Sequence, residues 1–437
     1  MKNFKKFISL SLMTTLVLTS LAGCGSKTNS SSGEKKAGSK IELSFMDWES
    51  PEMNTKMMEA IKEFETENPG VTVKQIPTPM GDYGLKLNQM IAAKAAPDIF
   101  QAGHDMAIQM SGKGKTYDFS KEAKADEAFT KEFYPGVYEL WVKDGKVMGL
   151  PGLLNAYGVF YNKDIFKKAG IEEPKIGWTW QTLFEDAQKL SSKSNGVKNY
   201  GIYNLTMDAF RVSVMSVSNG GEPFTDQIKQ PTKVMADEKF KTTVQTLQGY
   251  IKNGAIAPPS YKNDNLSAAF MQGKIPMMEF GQWIADDLIR NAPKDFKWGF
   301  APTPKGDSKQ STVFDCVGWA SPKDIKNPEM VWKLMKFMDS KMYEKVLAAT
   351  PVAPTAYMPS AQPYYDKLKE SGHQDVSDSL DYMFKTEDKQ PVRFNTLWSG
   401  DAGKYMIDWN NVLEGKKEIS YIDKMVQDIN KVIEDNK

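Results

Sequence analysis

The sequence predicts an α/β fold, because apolar residues change between strand spacing and helix spacing along the chain. Ile41 to Trp48 alternates apolar and polar residues, which is typical of a strand. Helical spacing follows from Met57 to Phe64 and ends at the helix breaker Asn68-Pro69-Gly70. A second strand begins at Val71, so strand, helix and strand form a βαβ unit with a predicted parallel strand pair.

The same alternation continues beyond this unit. Leu85 to Ala95 predicts a helix, and Pro97 to Phe100 predicts a short buried strand. Lys146 to Gly152 predicts a strand that runs into a Pro-Gly break, and Tyr157 to Tyr161 predicts the next strand. Such an interruption is what a crossing between two domains would look like, but periodicity alone leaves that open.

Short-range signals set the ends of the following helices. Asp164 is predicted to be the N-cap of the first helix and Gly170 its C-cap. Thr179 is predicted to be the N-cap of the next helix. A side-chain oxygen satisfies free amide groups where a helix starts, and glycine adopts left-handed backbone where a helix ends.

Composition limits the classes of function. Of the 437 residues, 41% are apolar and 25% are charged, which is ordinary for a soluble globular chain. The 56 Lys and Arg nearly balance the 55 Asp and Glu, and this balance argues against a nucleic-acid binder. Two Cys cannot form a disulfide framework, and two His argue against a multi-histidine zinc site. We therefore expect no cofactor, and nothing in the sequence indicates a metal ion.

The N-terminal residues have the pattern of a targeting segment. A basic start and an apolar run from Phe7 to Leu18 predict a secretory signal peptide over residues 1–23. Small residues precede Cys24 and resemble the lipobox of bacterial lipoproteins, in which the cysteine carries diacylglycerol. The alternative is an ordinary signal peptide with an accidental cysteine. Residues 24–40 are rich in Ser, Gly and Lys and predict a flexible tether. We expect a protein anchored by lipid to the outer face of the cell membrane, with Cys316 unpaired.

Several runs share one further pattern. They are Gly149-Leu150-Pro151, Phe160-Tyr161-Asn162-Lys163-Asp164-Ile165-Phe166-Lys167-Lys168-Ala169-Gly170, Ala96-Pro97-Asp98-Ile99, Phe270-Met271-Gln272-Gly273-Lys274-Ile275-Pro276-Met277, Gly281-Gln282-Trp283, Ala301-Pro302-Thr303-Pro304 and Asn327-Pro328-Glu329. Together they resemble family 1 extracellular solute-binding proteins, the carbohydrate receptors of bacterial ABC importers, among which maltodextrin-binding protein is a distant relative. Gly177-Trp178-Thr179-Trp180 departs from the family, where a proline-containing run into Thr-Trp is common.

This resemblance implies a two-lobed fold of the type II periplasmic-binding-protein class, with a hinge and a ligand cleft between the lobes. The N-terminal lobe is expected over residues 41–153 plus 317–352, and the C-terminal lobe over 154–316 plus 353–437. Members of the family bind, close and deliver a solute to the transmembrane subunits of an ABC permease, and they are not catalytic. We expect a monomer whose small-molecule ligand is a sugar or an oligosaccharide.

The resemblance also implies candidate sugar contacts, since aromatic planes cover the C–H faces of a sugar and planar polar groups pair with its hydroxyls. It implies Trp283 as the stacking tryptophan, Asp105 as a hydroxyl-binding acid and Asn155 as a polar contact just past the hinge. The remaining candidates are Trp48 after the first strand, Tyr157 two residues beyond Asn155, Phe210 beside Asp208 and Arg211, Trp319 at the second crossing, and Trp398 near Arg393. The alternative for most of them is core packing; for Asp105 it is a helix N-cap.

Two other functions stay open at this point. The sequence contains no nucleophile elbow, phosphate loop or His-Glu-x-x-His zinc motif. Glycoside hydrolysis needs only two facing carboxylates, so a secreted glycosidase is the enzyme alternative. A receptor of the same fold for a polyamine or an anion is the binding alternative. The near-neutral charge and the ten Trp favour an uncharged sugar.

Overall fold

The computed structural model of the protein describes residues 40–194, 197–205, 208–227, 231–261, 265–386, 388–391 and 403–436. Cys24 and the predicted signal peptide and tether up to residue 39 lie outside this part of the chain, as do Arg393 and Trp398. Within the described ranges, every helix is too short or too polar to cross a membrane.

Strands and helices alternate along the described chain, which confirms the α/β class. The strands are β1 Ile41–Asp47, β2 Val71–Pro77, β3 Ile99–Gly103, β4 Val142–Lys143, β5 Lys146–Val147, β6 Gly149–Asn162, β7 Ser192–Ser194, β8 Val197–Asn199, β9 Ile202–Tyr203, β10 Met277–Gly281, β11 Trp298–Pro302, β12 Thr312–Ala320 and β13 Lys389–Pro391.

The helices up to residue 385 are α1 Pro51–Glu67, α2 Met80–Ala92, α3 His104–Gly112, α4 Ser120–Ala125, α5 Glu127–Thr130, α6 Lys163–Ala169, α7 Trp180–Leu190, α8 Ala209–Ser218, α9 Glu238–Asn253, α10 Leu266–Met271, α11 Ile284–Asn291, α12 Pro328–Phe337, α13 Tyr343–Leu347, α14 Gln362–Glu370 and α15 Gln374–Lys385. Two helices near the end of the chain span Trp409–Leu413 and Tyr421–Asp435.

One mixed sheet runs through the fold in the strand order β2-β1-β3-β12-β6-β10-β9. β1 pairs in parallel with both β2 and β3, so the predicted βαβ unit is confirmed. β12 pairs antiparallel with β3 and with β6, whereas β10 and β11 pair antiparallel with the second half of β6. The partners of β6 therefore change along its length, from β12 over Gly149–Ala156 to β10 and β11 beyond it.

The predicted strand break at Pro151-Gly152 is wrong, because β6 continues through both residues as one strand of 14 residues. The pairing with β12 shifts register between Val317 and Gly318, and Gly152 is the extra residue on β6. A β-bulge of this kind accepts a proline, which has no amide N–H to donate to a neighbouring strand. The sequence signal was real, but it marks a bulge inside a strand rather than the end of one.

Three stretches of chain lie side by side where the partners of β6 change. They are the middle of β6, the middle of β12 and the segment that contains Pro354. Leu154 donates its amide hydrogen to the Pro354 carbonyl at 2.9 Å, and Ala356 donates to the carbonyl of Gly152 at 2.7 Å. The expected lobe boundaries at 153/154, 316/317 and 352/353 fall within or next to these stretches and stay a prediction.

The helix ends test the capping predictions. Gly170 is the C-cap of α6 with a left-handed φ of 68°, and Thr179 caps α7 by accepting a hydrogen bond from the Thr182 amide; both are confirmed. The N-cap of α6 is Asn162 rather than Asp164, because the Asn162 side chain accepts from the amide of Ile165 at 3.0 Å. Asn162 is the last residue of β6, so the helix follows the strand directly.

Candidate ligand-binding site

The loops after β1 and β3 form one side of the candidate site. These strands are parallel neighbours, so their carboxyl ends meet at the same edge of the sheet. Trp48 follows β1 and is partly exposed, with its ring edge-on to Tyr83 at a centroid distance of 4.7 Å. Asp105 follows β3, in the first turn of α3 and also partly exposed. The N-cap of α3 is Gly103, so the N-cap alternative for Asp105 is wrong.

Beside Trp48 lies an oriented carboxylate, that of Glu49, which directly follows Trp48 in the sequence. The Glu49 carboxylate accepts a hydrogen bond from Gln101 Nε2 at 2.6 Å, and Gln101 Oε1 accepts one from the Trp48 amide at 3.2 Å. Burial raises the pKa of Glu49 to about 7, the Gln101 hydrogen bond opposes the rise, and the charges of Asp47 and Asp286 add to it. Glu49 is therefore poised to accept a hydroxyl hydrogen bond next to an indole face.

His104 precedes Asp105 but is buried, with 3% of its surface exposed. Its Nδ1 atom lies 3.2 Å from an Asp315 carboxylate oxygen and 3.3 Å from the Cys316 carbonyl oxygen. His104 thus links the start of α3 to the middle of β12, and its partners are already within the protein. This satisfied arrangement is the ordinary one for an isolated histidine.

The second side of the site is built on β6 and β10. Gly281, at the end of β10, pairs with Tyr157 of β6, and this pairing brings Trp283 next to Tyr157. The two rings meet edge to face, with centroids 5.3 Å apart and planes at 85°. Trp283 is partly exposed, whereas Asn155 and Tyr157 are each 8% exposed. Asn155, Tyr157 and Trp283 are therefore brought together where β6 pairs with the end of β10.

Gly281 is required for the position of the Trp283 ring. A Cβ atom on Gly281 would lie 1.8 Å from an atom of the indole, so the ring occupies space that any other side chain would fill. The glycine thus permits the ring to fold back over the end of β10 and stand against Tyr157.

Gln282 fixes this corner, and sequence reasoning quoted it only as part of a motif. Its side chain is fully buried, and its Oε1 accepts a hydrogen bond from the Ala156 amide at 2.7 Å. Its Nε2 donates to the Leu154 carbonyl and to the Asn155 side-chain oxygen, each at 3.0 Å. One amide therefore ties the residue before Trp283 to three consecutive residues of β6.

A buried charge pair supports Tyr157 from behind. The guanidinium carbon of Arg211 lies 4.0 Å from the centre of the Tyr157 ring, and its Nη1 lies 3.6 Å from a Glu279 carboxylate oxygen. Burial raises the pKa of Glu279 to about 7, with Arg211 opposing and Asp208 reinforcing the rise. Asp208 also caps α8 by accepting hydrogen bonds from the Phe210 and Arg211 amides. Sequence reasoning placed Arg211 near the site but did not predict this pairing.

Two of the predicted contacts lie in the core instead. Trp319 has 0% exposure and packs with Phe45 and Tyr343, at centroid distances of 6.0 and 6.3 Å. A fully buried indole presents no face to a ligand, so the prediction that Trp319 lines the site is corrected. Phe210 is 6% exposed and packs edge-on against Phe224. Arg393 and Trp398 lie outside the described residues, and their roles stay predictions.

The two sides of the site meet through the helices that follow the two tryptophans. Arg290 of α11 bonds to Asp286 at 2.8 Å, and its other terminal nitrogen lies 3.7 Å from Glu52 in the first turn of α1. α1 begins shortly after Trp48 and α11 directly after Trp283, so the ion pair joins the helices that follow the two partly exposed indoles. The arrangement suits binding of a polyhydroxylated ring; it combines indole faces with oriented carboxylate and amide groups.

Comparisons with known proteins agree with this arrangement. The model of a bacterial extracellular solute-binding protein family matches residues 59–375. YcjN of Escherichia coli (strain K12), named as an ABC transporter periplasmic-binding protein, is 30% identical over 290 residues, or 64% of each chain. The maltodextrin-binding protein MdxE of Bacillus subtilis (strain 168) is 24% identical over 334 residues, or 75% of each chain.

A solved structure shows the same fold. The ABC substrate-binding protein of Listeria monocytogenes in complex with cycloalternan superposes with a TM-score of 0.76 over 90% of this chain and 99% of its own, at 24% identity. The fold is therefore the two-lobed, type II periplasmic-binding fold, with a hinge and an interlobe cleft. With a family model that matches most of the chain, this protein belongs to the bacterial extracellular solute-binding proteins.

Proposed function

We propose that the protein is a lipid-anchored extracellular receptor that binds a sugar or oligosaccharide between its two lobes and delivers it to an ABC importer. The observation that carries the proposal is the pair of partly exposed indoles, Trp48 and Trp283, each beside hydrogen-bonding groups of fixed orientation. Stacked aromatic faces combined with oriented amides and carboxylates suit a neutral ring of hydroxyl groups. The maltodextrin-binding relative and the cycloalternan complex support the same class of ligand.

Closure on the ligand follows from the positions of these groups. Trp48 and Glu49 follow β1, whereas Asn155, Tyr157 and Trp283 belong to β6 and the end of β10. A ligand that touches both sets binds the closed arrangement better than the open one, and that difference shifts the population. Moving the population from 1:99 to 99:1 takes about 5.5 kcal/mol of differential affinity. Several hydrogen bonds and one or two stacked rings supply energy of that order.

Delivery without chemistry is the second part of the proposal. The residues gathered at the site are suited to hold hydroxyl groups, and the family and its relatives are named as binding proteins. The sugar is therefore released intact to a membrane permease. The anchor is the diacylglycerol expected on Cys24, and residues 25–40 connect it to β1.

Calorimetry with a panel of ligands tests the proposal. The purified chain is titrated with maltodextrins, cyclic and linear glucose oligomers, monosaccharides, polyamines and inorganic phosphate. We expect saturable binding of at least one carbohydrate, recovered unchanged by chromatography. Binding of a polyamine or phosphate alone would identify a receptor for a solute other than sugar. Conversion of a bound oligosaccharide would identify a glycosidase. Mass spectrometry of the membrane-extracted protein tests for the lipid on Cys24.

A further inference from the structure

A pocket of about 540 Å³ opens on the protein far from the candidate ligand site. Its lining includes Glu42 near the start of β1 and Asp98 just before β3. Trp48 and Asp105 follow the other ends of these same strands. Strands rise by about 3.3 Å per residue, so the length of β1 separates the pocket from Trp48 by roughly 20 Å.

The lining includes four exposed lysines, and we call this cavity the lysine pocket. They are Lys94, Lys115, Lys323 and Lys326. Within the described ranges, none of the four forms an ion pair. Its acids are fewer, and one of them is already engaged, because the Asp98 carboxylate accepts hydrogen bonds from the amide and hydroxyl of Ser44 at 2.8 and 2.9 Å. Glu42 and Asp324 are the other two. Unpaired ammonium groups around a concavity favour an anion.

Backbone hydrogen bonds present three of these lysines in fixed places. The Lys323 amide donates to the carbonyl of Lys115 at 3.0 Å, so the loops that carry them are joined. Lys94 has a left-handed φ of 55°, and its amide donates to the Ile91 carbonyl at 3.1 Å. A non-glycine residue holds such a backbone only where its surroundings determine it. The backbone that carries these lysines therefore has a defined conformation around the pocket.

The chain enters the fold at this same edge of the sheet. Lys40, which is also exposed, is the first described residue and directly precedes β1. Fifteen residues lie between it and the lipid proposed on Cys24, and the flexible tether that the sequence predicts there would have an end-to-end distance of about 20–24 Å. The lysine pocket is thereby held within reach of the phosphate layer of the membrane. This step depends on the proposed lipid anchor.

We infer that the lysine pocket binds the phosphate headgroups of anionic membrane lipids. Between transport cycles the protein then rests with this face on the membrane, and the opposite strand ends, which carry the candidate sugar site, are turned to the medium. Engaging the permease requires the protein to leave this resting position. The inference concerns a surface distinct from the sugar site, so the two can be tested separately.

Vesicle co-sedimentation tests the inference. The full chain with Cys24→Ser, which carries no lipid, is mixed with vesicles of phosphatidylcholine alone or of phosphatidylcholine mixed with the anionic lipid phosphatidylglycerol. The test variant is this parent chain with the four lysines of the pocket replaced, by K94Q, K115Q, K323Q and K326Q. The matched control adds K167Q, K168Q, K274Q and K294Q, which removes four exposed, unpaired lysines elsewhere in the described chain.

We expect the test variant to lose at least tenfold in affinity for the phosphatidylglycerol vesicles, while the control changes less than twofold and both bind sugar like the parent chain. Equal losses of vesicle affinity in the two variants would show that only net charge matters and would overturn the inference. Vesicle affinity that is unchanged in both variants would also overturn it, as would saturable binding of inorganic phosphate without any vesicle binding. A parent chain that binds vesicles as expected but binds no sugar would instead contradict the proposed function. Absence of lipid on Cys24 would overturn the resting position.

Discussion

The Gln282 side chain donates a hydrogen bond to the Asn155 side-chain oxygen at 3.0 Å. Gln282 directly precedes Trp283, and Asn155 lies in β6 where its strand partners change. The contact therefore couples the position of the partly exposed indole to the segment expected to act as a hinge. The Gln282 side chain also bonds to the Ala156 amide and the Leu154 carbonyl, and all three residues are buried.

Replacing Gln282 tests this coupling. Gln282→Leu leaves a buried amide hydrogen and a buried carbonyl without their partner, and each such loss costs about 1–3 kcal/mol. We expect a drop of about 2–4 kcal/mol in the free energy of unfolding, measured in urea, together with weaker sugar binding. Gln89→Leu, on the exposed surface of α2, serves as control and should change stability by less than about 0.5 kcal/mol. Equal stability of the two variants would contradict the coupling.

Trp283→Ala separates binding from packing. Its indole is partly exposed and contacts Tyr157 edge to face, so its removal costs the fold little but removes a stacking face. We expect sugar affinity to fall at least tenfold and the Tm of the unliganded protein to fall by only a few degrees, by calorimetry and thermal unfolding respectively. Trp180→Ala is the matched control; this indole is 5% exposed and donates to Ser218 at 2.9 Å. It should lower Tm strongly, and the reverse pattern would place Trp283 in the core.

His104 predicts a pH-dependent part of the stability. Burial works against its protonation, but the hydrogen bond and charge of Asp315, with Asp105 and the Cys316 carbonyl, outweigh it and raise the pKa of His104. A raised pKa in the folded state gives a contribution that is complete below the unfolded pKa of about 6.5 and lost as pH rises through the folded value. We therefore expect the free energy of unfolding to decline above pH 6.5 more steeply than in His104→Asn. If the free energy of unfolding depended on pH in the same way in the two proteins, His104 would make no pH-dependent contribution to stability.

Asp339 predicts a stabilising substitution. It has 0% exposure, neither carboxylate oxygen has a hydrogen-bond partner in the described protein, and burial holds its pKa well above the usual range. The folded state therefore keeps a proton that the unfolded state loses above about pH 3.8, so stability falls as pH rises through that window. Asp339→Asn should raise Tm at pH 7 and show little gain at pH 3.5. A lower Tm at pH 7 would mean that the carboxylate has a partner.

Local chemistry was sufficient to predict much of the fold. The alternation in Ile41–Asp47 and the break at Asn68 follow from neighbouring residues alone, as does the left-handed turn at Gly170. Pro151 was misread, since a proline followed by glycine ends most strands and only pairing with the distant β12 turns this one into a bulge. The N-cap of α6 is Asn162 rather than Asp164, because Asn162, the last residue of β6, already has a side chain of suitable length.

Site residues could be predicted from the sequence only where the residue type itself, such as tryptophan, suggests contact with a sugar. Trp48 and Trp283 could be proposed from position and chemistry, and both are partly exposed. Trp319 carries the same side chain, but it lies in β12, where eight of the nine residues are buried, and no local pattern distinguishes the two cases. The contacts of Gln282 and the packing of Arg211 on Tyr157 join residues more than fifty positions apart, so they require the folded chain.

A calorimetric titration of the purified chain with the oligosaccharide panel tests the central claim most directly, because one trace reports both binding and turnover. We predict heat that saturates with one ligand per protein, and a ligand that is recovered unchanged. Continuous heat from a consumed sugar, or a flat trace with every carbohydrate in the panel, would contradict it.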